Sequence, residues 1–139
     1  MRPVYTDILL INSIDEVLVN KKMLNEEDVR RMTVKLRVDT GMYMTGITED
    51  VQKQLKLPFI EKRKIMLADK SIKEFDVVGP LTMKFKNRLA TCNALVLQGS
   101  EDSVLGTISI GEMDVLIHPQ LQELVVNPEH PCGAQLSMK

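Results

Sequence analysis

The chain has 139 residues, 44% of them hydrophobic, with 18 basic and 19 acidic side chains and a formal net charge of −1. This length fits one domain and excludes most two-lobed enzymes, and the composition argues against wholesale disorder. Balanced charge gives no electrostatic reason to expect nucleic-acid or membrane-surface binding. No apolar run approaches the roughly 20 residues of a spanning helix, and Met1-Arg2-Pro3 leads into nothing like a signal segment. Cys92 and Cys132 are too few for a disulfide framework and lack metal-type spacing, so a reducing cytoplasm is the expected location. With 4% aromatics and nine Met, the core must be aliphatic and thioether, and a modest core makes a homo-oligomer worth expecting.

In chain order, Tyr5 to Asn12 reads as a first strand, with Val17-Leu18-Val19 as a short continuation. Residues 25–31 read as a helical turn with Asn25 as N-cap, acids first and arginines last. Met32 to Val38 alternates apolar and polar, a strand with one buried face, and runs into Asp39-Thr40-Gly41. Thr48 to Leu55 reads as a helix capped by Thr48, with Val51 and Leu55 on one face, ended by Leu57-Pro58. Arg63 to Ala68 and Ile72 to Val78 form a hairpin with a polar tip, Asp69-Lys70-Ser71. Gly79-Pro80 interrupts, then Leu81 to Phe85 and Leu89 to Leu97 pair across Lys86-Asn87-Arg88.

After a loop comes Val104-Leu105-Gly106, and Ser109 with Glu112 has the form of a capping box for a short helix near 110–113. Val115-Leu116-Ile117 and Glu123 to Val126 read as two final strands stopped by Pro119 and Pro128. Many short strands with little helix predict a mostly β fold, a sandwich or small barrel.

Asp39-Thr40-Gly41 is the candidate centre. An aspartate at a strand end can be held rigidly, and Gly41 lets the backbone turn close to its carboxylate. Such a tripeptide can also simply shape a turn. In order, the apolar strand with Asp-Thr-Gly, the hairpin over 63–78 and the Val104-Leu105-Gly106 segment resemble the single-domain retropepsin-like aspartic proteases. The resemblance covers about residues 32–128 and is nearest to a bacterial branch with a long tail after the second glycine. Residues 1–31 would then add a strand and helical turn to the same domain, and 129–139 a C-terminal tail.

The resemblance implies a retropepsin-like closed β-barrel with short helices, Asp39 as catalytic aspartate, Thr40 bracing paired loops and Gly41 admitting the substrate backbone. It also makes the hairpin a flap over a peptide or protein substrate, and it implies no metal or organic cofactor. Such chemistry needs two carboxylates sharing a proton, because like charges about 3 Å apart cannot both ionise. One Asp-Thr-Gly is present and Asp114 has no glycine after it, so two copies must meet with both Asp39 residues at a two-fold axis.

Departures from the family pattern leave a second reading open, a non-catalytic dimeric peptide-binding module. Met42 stands where a small residue is usual, and the hairpin tip lacks glycines. Arg37 shares the strand face of Asp39 by period-two alternation. It either favours acidic or polar substrate side chains, lowers the pKa of the pair, or turns aside to pair with a nearby acid. His118, His130, Cys92 and the Met42, Met44 pair read as structural, and Cys132 as an exposed thiol.

Overall fold

A computed structural model describes residues 2–137. Strand β1 (Val4–Asn12) runs antiparallel to β2 (Arg31–Val38), from Val4 opposite Val38 to Ile11 opposite Arg31. The ring closes through β1 again, whose Leu9 to Asn12 also pair with Lys84 to Leu81 of β5 (Ile72–Phe85). Between them lie β7 (Ser103–Leu105), β3 (Gly46–Thr48) and β6 (Arg88–Leu97), in the order β1-β2-β7-β3-β6-β5 and back to β1. The result is a closed six-stranded barrel, mostly β with short helices, as the strand pattern and the resemblance led one to expect.

The alternation in β2 points Leu36 and Val38 inward, where they meet Ile8, Leu10, Ile47, Leu81 and Leu105 in one aliphatic core. Strand β4 (Phe59–Met66) adds to the outside of β5 as a hairpin arm that is exposed along nearly its whole length. A separate two-stranded sheet, β8 (Val115–His118) with β9 (Glu123–Val126), closes one side through Val115 and Leu124. No helix among the described residues is long and apolar enough to cross a membrane.

Helix α2 (Glu49–Leu55) forms where the sequence places it, with the Thr48 hydroxyl accepting from Val51 N–H and with Val51 and Leu55 buried. Several other expectations are corrected. Val17-Leu18-Val19 does not continue the first strand but lies in helix α1 (Ser13–Asn20). The Asn12 side chain accepts from Ile14 N–H and Asp15 N–H, and this cap starts a helix that the β-branched run alone would not predict. In the 25–31 segment only Glu26–Asp28 is helical, as a 3-10 turn without a side-chain bond from Asn25, because Arg30 is drawn off to Asp15. Gly79-Pro80 does not end a strand. Strand β5 carries straight through it and absorbs the irregularity as a register shift between Val78 and Leu81.

The capping box does not form. Helix α3 (Thr107–Met113) starts from Gly106, while Ser109 bonds Thr45 and Glu112 accepts from Thr91 N–H. Strand β3 is a further element that three residues are too short to announce.

Asp15 pins the connection between β1 and β2 by binding Arg30. Its buried carboxylate accepts from Arg30 N–H at 2.9 Å, Nε at 2.9 Å and Nη2 at 2.8 Å. The guanidinium's hydrogen bonds hold this carboxyl below the usual carboxylate range. Asp15→Ala leaves the Arg30 donors unpaired and is expected to lower stability by about 2 kcal/mol at neutral pH, read as a lower urea midpoint. The contribution is present above the carboxyl's unfolded value and is lost as pH falls below it, so variant and wild type converge in acid.

Candidate active site

Asp39 is the first residue past β2, and its N–H donates to Leu105 O at 3.1 Å, which ties the loop to the end of β7. Strands β2 and β7 run parallel here, with Arg37 beside Val104 and Val38 beside Leu105. The Asp39 carboxylate accepts from Gly41 N–H at 2.8 Å, a local turn that fixes its direction. A Cβ at residue 41 would lie 3.2 Å from Asp39 Oδ1, so glycine there spares the carboxylate a crowded contact. The side chain of Asp39 keeps 38% of its surface exposed, while Thr40 and Gly41 are exposed at the tip of the loop.

The rest of the loop is clamped from below. Met42 O accepts from Thr107 N–H at 2.8 Å and Tyr43 O from Ile108 N–H at 3.2 Å, so the start of α3 satisfies two loop carbonyls. Gly106 N–H donates to the Thr45 hydroxyl at 3.1 Å, and that hydroxyl sits 2.9 Å from Ser109 Oγ, with all three groups buried. A Cβ on Gly106 would fall 2.5 Å from the carbonyl carbon of Met44 and 2.6 Å from its oxygen. Thr45 and Ser109 support the loop, and no sequence pattern marks them for that role. They lie 64 positions apart, and a hydroxyl's partner is not written in its neighbours.

Arg37 does lie beside Asp39. Its Nη2 is 4.0 Å from Asp39 Oδ2, an ion-pair distance too long for a hydrogen bond. Tyr5, directly opposite Arg37 in the β1–β2 register, donates its hydroxyl to Asp102 at 3.0 Å.

Between the loop and the hairpin arm is a cavity of about 470 Å³. Gly41, Met42 and Met44 form one wall, and Ile65, Leu67 and Phe75 of the arm form another. Met42 and Met44 thus stand in a cavity wall rather than in the sealed core, and both are only partly buried. Arg63 reaches across, with Nη1 3.4 Å from the Met44 sulfur. The tip residues Asp69, Lys70 and Ser71 form a tight turn in which Asp69 Oδ1 accepts from Ser71 N–H at 2.9 Å. Lys70 adopts the left-handed conformation (φ 69°) that a glycine would take more easily.

The other candidates are structural. Asp114 accepts from His130 Nδ1 at 2.6 Å, Asn127 Nδ2 at 3.0 Å and Gln135 N–H at 3.0 Å, which ties the C-terminal segment to the end of α3. These bonds, that from Asn127 foremost, hold its carboxyl down at about 2. His118 Nδ1 accepts from Gln120 and Leu121 N–H in a turn. Burial pushes the Cys92 thiol up to about 11, so it is not a thiolate at neutral pH, whereas Cys132 is exposed. No group of three or more His, Cys, Asp or Glu side chains converges among the described residues.

Within one chain, then, Asp39, Gly41, Arg37 and Met42 come together, while Asp114 is engaged elsewhere. The carboxylate of Asp39 meets Gly41 N–H and Arg37, and no second carboxylate bonds to it among the described residues. Searches against protein-family models and curated proteins find no match to this chain.

Gly106→Ala is expected to cost about 2 kcal/mol or more, because the added carbon meets backbone rather than a flexible side-chain end. Thermal unfolding checks this. For the C-terminal segment, the amide of Gln135 is expected to stay protected from hydrogen exchange above the unfolded carboxylate value of about 4. Protection fades as pH falls towards about 2, where Asp114 becomes protonated. Asp114→Ala should lose that protection at every pH.

Proposed function

We propose that the protein is a retropepsin-like aspartic endopeptidase acting as a homodimer, of the bacterial, cytoplasmic kind that the Asp-Thr-Gly pattern resembles. The observation that carries this reading is the half-exposed carboxylate of Asp39. It is fixed by Gly41 N–H on a loop clamped by β7 and α3, beside a largely apolar cavity under a hairpin arm. A buried structural turn would not need an open carboxylate next to a groove that can take peptide side chains.

One chain supplies one such carboxylate, so the second comes from a second copy. Thr40, Gly41 and Tyr43 stand exposed at the loop, with Tyr43 72% accessible, and they offer the surface on which two loops meet across a two-fold axis. In the pair, one carboxylate is ionised and the other carries the shared proton. The ionised oxygen takes a proton from a water, whose oxygen bonds to the peptide carbonyl carbon, while the other carboxyl donates its proton to the carbonyl oxygen. Collapse of the tetrahedral species breaks the C–N bond as a proton passes to the leaving nitrogen. The hairpin arm encloses the peptide and limits water.

A second reading, a dimeric peptide-binding module without cleavage, is favoured by Met42, whose long side chain lines the cavity where the family usually has a small residue. Solution mass and cleavage of an unfolded protein substrate decide between them. The protease reading expects a dimer that cleaves, and Asp39→Asn should lower the rate by at least about a thousandfold with the dimer intact. A dimer that binds peptides without cleaving them supports the module. A monomer, or cleavage indifferent to Asp39→Asn, overturns the protease reading.

A further inference from the structure

We infer that Arg37 makes this site select substrates with an acidic side chain directly beside the scissile bond; this rests on the protease reading above. The guanidinium stands over the same strand face as Asp39, with Nη2 4.0 Å from the carboxylate, so any group held at Asp39 lies within reach of it. Its one ion-pair contact among the described residues is with Asp39 itself. That contact is too long for a hydrogen bond, and Asp102, which accepts from the Tyr5 hydroxyl at 3.0 Å, forms no ion pair with Arg37. Its Nε is enclosed and has no hydrogen-bond partner, while the side chain as a whole keeps 41% of its surface open. Its backbone lies between strands β1 and β7, opposite Tyr5 and Val104, and no hydrogen bond among the described residues takes up its guanidinium donors.

A planar guanidinium in that state is matched by a carboxylate, which can accept two parallel hydrogen bonds from it. The residue whose carbonyl is attacked bears its side chain on the atom next to that carbon, so a short Asp or Glu side chain spans the gap from Asp39 to Arg37. An apolar side chain at the same place would leave the fork unsatisfied and partly stripped of water. Because the proposed dimer is symmetric, Arg37 occurs on both sides of the paired carboxylates, and the preference extends to both residues of the scissile bond.

The test uses the full-length protein and matched peptides that differ only by Glu or Gln beside the cut. Wild type is expected to favour Glu by about tenfold in kcat/KM, and a peptide library should show Asp and Glu enriched at the two flanking positions. Arg37→Leu and Arg37→Gln should bring the Glu-to-Gln ratio to about one, Arg37→Lys should keep part of it, and Arg37→Glu should turn the preference to Lys and Arg. Cleavage by wild type with a ratio near one overturns this inference and leaves the protease reading standing. If wild type cleaves nothing, fluorescence anisotropy of the same labelled peptides decides. Arg37-dependent preference for the Glu peptide then upholds the acid-selective site in a non-cleaving module, and binding blind to that charge overturns both.

Discussion

The main chain of Met44 runs so close to Gly106 that a single added carbon would lie 2.5 to 2.8 Å from three backbone atoms of residues 43 and 44. That approach lets the start of α3 donate to the carbonyls of Met42 and Tyr43 and lets Thr45 reach both Gly106 N–H and Ser109. The loop carrying Asp39 is thereby supported from β7 and α3 rather than left to its own turn. A carboxylate with 38% of its surface open still has a defined position, because its backbone is bonded at both ends.

The same support depends on the ring being closed. β7 has three residues, and its placement rests on parallel pairing with β2 on one side and on β3 on the other. β2 is in turn held by the full-length register with β1, whose far end crosses to β5. The Asp15 carboxylate on Arg30 fixes the connection between β1 and β2, and Asn12 ties α1 to the end of α2 through Leu55 O. Asp39 sits at the rim of this closed frame, and the hairpin arm of β4 and β5 is the part that stands outside it.

Much of the frame was legible as alternation. Leu36 and Val38 declared the buried face of β2, and Thr48, Val51 and Leu55 declared α2. Two of the misread segments share a cause. Val17 to Val19 look like strand residues until Asn12 caps them into a helix, and Ser109 with Glu112 look like a cap until Thr45 and Thr91 claim them. In each case a local pattern was overruled by a hydrogen bond, and for Ser109 and Glu112 the partner lies far along the chain.

The sequence by itself determined the strand periodicity and the position of Asp39 at a strand end, because these follow from the order of apolar and polar residues. Only the tertiary structure decided that β1 closes the barrel, that Gly106 leaves room for the Asp39 loop, and that the guanidinium of Arg37 stands 4.0 Å from the carboxylate with its Nε unpartnered. Period-two alternation puts two side chains on one face. Whether a third group intervenes depends on strands that arrive from residues 4 and 103 onward, and no spacing within β2 encodes them.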